Sequence, residues 1–125
     1  SLLDFDDIVK NSLLARSISI PFALVLTEKV GGSISLIPLF TVITGLVGML
    51  LGDLLLLWMK YKNHLASGAA LGNAAHAMGI ARARQRHKLE GVIASLSMII
   101  SGIIMVLFAP SLIAVTKYLL GFISF

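Results

Sequence analysis

HLASGAALGNAAHAMGIA, residues 64–81, carries no formal charge but is mostly Ala and Gly, interrupted by Ser67, Asn73 and His76. Its 18 residues fall near the lower limit for crossing a bilayer as a helix. Gly68, Gly72 and Gly79 weaken it further as a spanning helix. The charges on either side give a second argument. Lys60 and Lys62 precede the segment, and Arg82, Arg84, Arg86 and Lys88 follow it. A full crossing would put these two basic flanks on opposite faces of a membrane, against the tendency of Lys and Arg to collect on the cytoplasmic side. A re-entrant or broken helix over 64–82 satisfies both observations; a plain short transmembrane helix is the alternative. Irregular backbone at that depth survives only when buried in protein or lining a water-filled cavity.

Two neighbouring runs are long enough to span outright. From Ile34 to Met59 the one charge is Asp53, and those positions reach about 39 Å as a helix. From Gly91 to Thr116 there is no charge at all. The expectation is a transmembrane helix over 34–60 and another over 89–124, the second kinked near Pro110. The opening segment, 5–29, repeats the interrupted pattern. Its longest uncharged stretch, Ser17 to Thr27, is 11 residues, too short to cross. Arg16 sits in its middle, and Pro21 suits the first turn of a new helix, where its missing N–H would be unpaired anyway. Two half-helices result, with Gly31-Gly32 turning into the first span. The chain is thus expected to be one all-α domain integral to the membrane, with two full spans and two broken or re-entrant segments. This resembles one repeat of an inverted-repeat transporter.

Composition agrees. Of 125 residues, 58% are hydrophobic and 13% charged, with mean hydropathy +0.98, against roughly 45–50% and about 25% in a soluble domain. Sixteen charged side chains cannot cover a globule of this size in water, so lipid must solvate much of its surface. A soluble enzyme and a disordered tail are excluded. The absence of cysteine excludes a disulfide scaffold and thiol chemistry. The net charge of +4 does not mark a nucleic-acid binder, because Tyr61 is the one aromatic near the basic groups and cannot form a stacking platform. Asp4, Asp6 and Asp7 near the start do not read as a cleavable signal. Ser1 in place of Met suggests processing or a fragment.

The interruptions hold the candidate site. A charge near the bilayer centre costs roughly 2.5–3.5 kcal/mol, so Arg16 should face an interior or cavity; the alternative is that it snorkels to a headgroup. Ser17 and Ser19 add hydroxyls, and a helix starting near Pro21 points unpaired N–H groups and a positive dipole end at the same place. Guanidinium, hydroxyls and helix start together suit a carboxylate or phosphate. Asn73 and His76, one turn apart, can share a face, and His76 can hydrogen-bond a substrate oxygen or relay a proton. The competing reading of His76 is a structural hydrogen bond between helices. Gly45, Gly48 and Gly52, like Gly68, Gly72, Ala75 and Gly79, form stripes for close helix packing. Asp53 reads as an interfacial hydrogen-bonding group, while Glu28 and Glu90 lie at segment ends and are expected to be solvated. No metal site is expected: His64 and His87 flank the segment without further ligands. No hydrolase or nucleotide motif occurs, so the chain is not expected to be an enzyme or to hold a cofactor.

Two stretches carry a resemblance. ARSISIPFA, residues 15–23, resembles the P-K-S-V-T-T-P-I-A signature of LrgB-like membrane proteins. GNAAHAMGIARA, residues 72–83, resembles their G-T-A-S-H-A-I-G-T-A-R-A. Glu90-Gly91, Ser95-Leu96 and Ala109-Pro110 continue in register. The resemblance implies a regulator of murein hydrolase export with an antiholin-like role, or a small-carboxylate carrier like the plastid glycolate/glycerate translocators of plants. It departs from the family pattern at Ala15, Arg16, Ile20, Asn73, Ala75 and Ile80, which replace a proline, a lysine and four hydroxyl residues.

The first functional expectation is a multi-pass protein of the cell (inner or plasma) membrane that binds or transports a glycolate-, glycerate- or pyruvate-like carboxylate. Its binding residues would be Arg16, Ser17, Ser19, Asn73 and His76. The alternatives are a holin/antiholin-like regulator of murein hydrolase export and autolysis, and a structural subunit with an inert pocket, suggested by the lost hydroxyls. The chain looks like the second half of the family pattern. A homo-oligomer, or a separate chain supplying the first half, is therefore expected to cover the cavity-lining faces.

Overall fold

A computed structural model describes residues 6–60 and 62–123; the expected limits at Phe5 and at 124 lie outside them. Every element in the described residues is helical: α1 Asp7–Ala15, α2 Ile20–Val30, α3 Leu36–Trp58, α4 His64–Arg86 and α5 Lys88–Ile123. Two stretches are long and apolar enough to span a membrane, Leu36–Trp58 and Lys88–Ser111. The α5 helix runs on past Pro110.

The first interrupted segment is two helices. Ser19 takes an extended backbone, and Pro21 lies in the first turn of α2. At the far end Gly31 adopts φ +78°, a left-handed cap that glycine reaches without a Cβ penalty. The end of α2 then returns to α1. The Asn11 side-chain amide donates to the carbonyls of Val30 at 2.9 Å and Gly31 at 2.8 Å. The Ser33 N–H donates to the Ser12 hydroxyl at 2.8 Å.

The second interrupted segment, α4, is two helical arms folded back on each other. His76, at φ 52° and ψ −129°, breaks it into two arms. Gly79 of the second arm lies so close to the Leu71 carbonyl of the first that no Cβ could fit between them. The arms therefore begin and finish at one end of the molecule. There the rings of His64 and His87 stack, with centroids 4.3 Å apart.

This hairpin is wedged between α3 and α5. Gly48 of α3 meets the Ala74 carbonyl, and Gly72 of α4 meets the Ala94 carbonyl. The α1–α2 pair packs at the opposite end of the spans, where Ala15, Ile18, Ala23, Leu26, Ile37 and Ala109 form a buried cluster. Ile37 opens α3 and Ala109 lies late in α5, which fixes that end. Large apolar side chains such as Leu46, Leu50 and Leu54 of α3, and Leu96, Ile103 and Leu107 of α5, are exposed. Each, about half covered by the protein, would cost about 1 kcal/mol to leave in water rather than in an apolar medium. That surface is suited to acyl chains.

Candidate functional site

The two turns approach each other halfway along the spans. Gly45 of α3 lies against the Ala75 carbonyl and Met78 of the α4 tip. On the other side, the guanidinium of Arg16, in the α1–α2 turn, donates to the Thr44 hydroxyl at 2.9 Å. Gly45 and Met98 sit near the midpoints of their respective apolar spans. Between the tips is a cavity of about 280 Å³, lined by Ser19, Ile20 and Pro21 from the start of α2, Thr41, Val42 and Gly45 from α3, Ala75–Met78 from the α4 tip, and Met98 from α5.

Most of this lining is apolar, so its polar members stand out. His76 is 4% exposed, and neither ring nitrogen has a hydrogen-bond partner. The Ser17 backbone and Arg16 lie near the ring, neither within hydrogen-bond geometry of it. The Thr41 hydroxyl is also buried and unpartnered. Ser19, buried at the N-cap of α2, makes no side-chain capping bond, leaving the positive end of that helix open toward the cavity. An unpartnered buried polar group costs about 1–3 kcal/mol. Two unpartnered side chains, the Ser19 hydroxyl that makes no capping bond and a helix start converge on one small space and can hold a solute bearing one or two oxygen acceptors, its apolar remainder against Ile20, Val42 and Met98.

The backbone at His76 strengthens this reading. A positive φ in a residue with a Cβ costs about 1–3 kcal/mol and persists only where its surroundings over-determine it. Here the strained residue is the one whose imidazole faces the cavity.

Of the residues expected at the site, Ser19 and His76 line the cavity and Arg16 lies beside it. Ser17 is exposed at the turn. Asn73 is outside the lining: its amide donates to the Ala69 carbonyl at 3.0 Å, and its carbonyl accepts from the Ser101 hydroxyl at 2.5 Å. Thr41 was absent from the sequence reading. Its signal was available, since Thr41 and Thr44 are the two hydroxyl residues of α3 and lie one turn apart.

A second polar cluster closes the other end of α4. Asp53 accepts from Arg82 Nε at 3.1 Å and Nη2 at 2.6 Å, and from Arg86 Nη1 at 3.2 Å. Glu90 was expected to be solvated; it is instead 3% exposed. One of its oxygens meets His64 Nδ1 at 2.8 Å. The other lies 3.2 Å from Arg86 Nε at an angle too poor for a hydrogen bond, so that contact is one of charge alone. Glu90 is buried because both arms of α4 converge on the first turn of α5. Among the described residues, no group of three His, Asp or Glu side chains is placed to hold a metal ion.

The sequence pattern of the LrgB-like family matches residues 1–115. The holin-like protein CidB of Staphylococcus aureus strain Mu50 is 34% identical over 102 residues, which cover 82% of this chain and 44% of that protein. The holin-like protein CidB of Staphylococcus epidermidis strain RP62A is 35% identical over 102 residues, with the same coverage of 82% and 44%. The uncharacterized protein YwbG of Bacillus subtilis strain 168 is 32% identical over 104 residues, covering 83% and 46%. The chain spans about half the length of the curated relatives it matches. No solved structure matches it.

Proposed function

Because this chain belongs to the LrgB-like family, we propose that it acts as a holin- or antiholin-like membrane component that modulates murein hydrolase export and autolysis. The similarity to two holin-like CidB proteins over four-fifths of the chain carries this reading. The protein would be multi-pass in the cell membrane, neither an enzyme nor a cofactor carrier. It would work as a homo-oligomer or with a chain that supplies the first half of its longer relatives. The test is to express the chain in a bacterial host and follow detergent-induced lysis together with murein hydrolase activity in the culture fluid. The expected result is a change in both relative to an empty vector. Unchanged lysis and unchanged hydrolase release, with the protein demonstrably in the membrane, would refute it.

A second reading has its own observation behind it. The unpartnered His76 and Thr41 around one cavity, with the Ser19 hydroxyl that makes no capping bond, beside Arg16 and the start of α2, suit a small carboxylate whose oxygens would complete those hydrogen bonds. Arg16 would attract the anion, Ser19 and the α2 N–H groups would donate to it, and His76 would bond an oxygen or pass a proton. In proteoliposomes loaded with glycolate or pyruvate, substrate-dependent flux should fall at least about tenfold in Arg16→Ala and His76→Ala, the loss of one strong charge-assisted bond. Thr41→Val should weaken it less. Dye leakage without substrate-dependent flux would favour the holin-like reading alone, and no flux of either kind would mark the pocket as inert.

A further inference from the structure

All of the net charge lies at the end of the molecule where α4 begins and finishes. Between positions 53 and 90 there are six basic side chains and two acidic ones, while the remainder of the sequence balances. Both acids are already engaged: Asp53 with Arg82 and Arg86, Glu90 with Arg86 and His64. Lys60, Lys62, Arg84 and Lys88 are exposed and join no ion pair among the described residues. They are distant in sequence but leave from one place, because the stacked rings of His64 and His87 bring the two flanks of the hairpin together.

What lies next to these cations identifies the partner. The last turns of α3 expose Leu54 at 64%, Leu57 at 62% and Trp58 at 80%. Two residues after this tryptophan stands Lys60. Tryptophan belongs at the membrane–water boundary, so the cations sit at headgroup level, with apolar surface directly alongside. A soluble phosphate would use only the charge, whereas a phospholipid would use both.

We propose that this end of the protein is a binding site for anionic phospholipids, the headgroup phosphate among Lys60, Lys62, Arg84 and Lys88 and the acyl chains along Leu54, Leu57 and Trp58. The ion pairs of half-buried Asp53 and buried Glu90 prepare the site by engaging the two nearby acids that would compete for those cations.

Trp58 is the one tryptophan, and it reports on its own lipid neighbours. The full chain is reconstituted in phosphatidylcholine with a rising fraction of either phosphatidylglycerol or phosphatidylcholine brominated in its acyl chains, and quenching of Trp58 is compared. The brominated anionic lipid should quench as though about fivefold enriched beside the protein, the equivalent of one basic residue near a membrane surface. Neutralising Lys60, Lys62, Arg84 and Lys88 to Gln should abolish that preference. Exchanging each Lys for Arg and Arg84 for Lys should keep it. Equal quenching by the two lipids in the parent protein overturns the proposal whether or not the neutralised variant folds. Loss of the preference in inorganic phosphate, but not in chloride of equal ionic strength, would assign the site to soluble phosphate and overturn the lipid assignment.

Discussion

At His76 two costs coincide: a positive φ on a residue with a Cβ, and an imidazole buried without a partner. Glycine at that position removes both, whereas alanine removes only the second. His76→Gly is therefore expected to be more stable than His76→Ala by about 1–3 kcal/mol, the range for a non-glycine residue in a sparsely populated backbone region. Thermal unfolding of the two variants in one detergent checks this. Equal melting temperatures would show that the turn is not strained. The position of His76 was legible because it follows Asn73 in a Gly- and Ala-rich segment that a spanning helix would not choose. The pairing of Thr41 with Thr44 was legible, but not that Thr41 borders a cavity. A hydroxyl inside an apolar run can turn its oxygen back onto its own helix, and only the arrival of the α4 tip makes a cavity beside it.

At the scale of the element, each interruption in the sequence is a return of the chain. Pro21 and Arg16 placed the first turn, and the Gly-rich composition placed the second. The ion pairs at the base of α4 were out of reach of a sequence reading, since Asp53 meets Arg82 and Arg86 only after the second arm has folded back. Glu90 is buried for the same reason. Two predictions belong here. Gly79→Leu puts a side chain into the Leu71 carbonyl, so the arms cannot close; the expected outcome is a loss of several kcal/mol, seen as a collapse of folded yield in detergent. Asp53→Asn should weaken the base of the hairpin, and a double-mutant cycle with Arg86→Gln should return a coupling of about 1 kcal/mol, as for a half-buried charge pair. A coupling of zero would mean that the pair is incidental to closure.

Across the whole molecule, the two hairpins approach from opposite ends of the same pair of spans. The basic flanks of α4 and the break between Arg16 and Pro21 mark the two interruptions in the sequence, but not the opposite ends from which they enter; the meeting of the tips depends on glycines of α3 that pattern alone reads as packing. The arrangement has a topological consequence that can be measured, because the chain contains no cysteine. Single cysteines at Lys62 and Gln85 should react with a membrane-impermeant maleimide from one side of a sealed vesicle, and a cysteine at Glu28 from the other. Labelling of positions 62 and 85 from opposite sides would mean that α4 crosses the bilayer outright.

The tip-to-tip meeting has one more consequence. Each hairpin enters between the spans from its own end of the molecule, and the tip of each meets the tip of the other. A solvent path along the spans would therefore have to pass both hairpins, and the displacement of one alone would open it only as far as the middle. A lesion in either turn alone should widen a vestibule before it opens a pore.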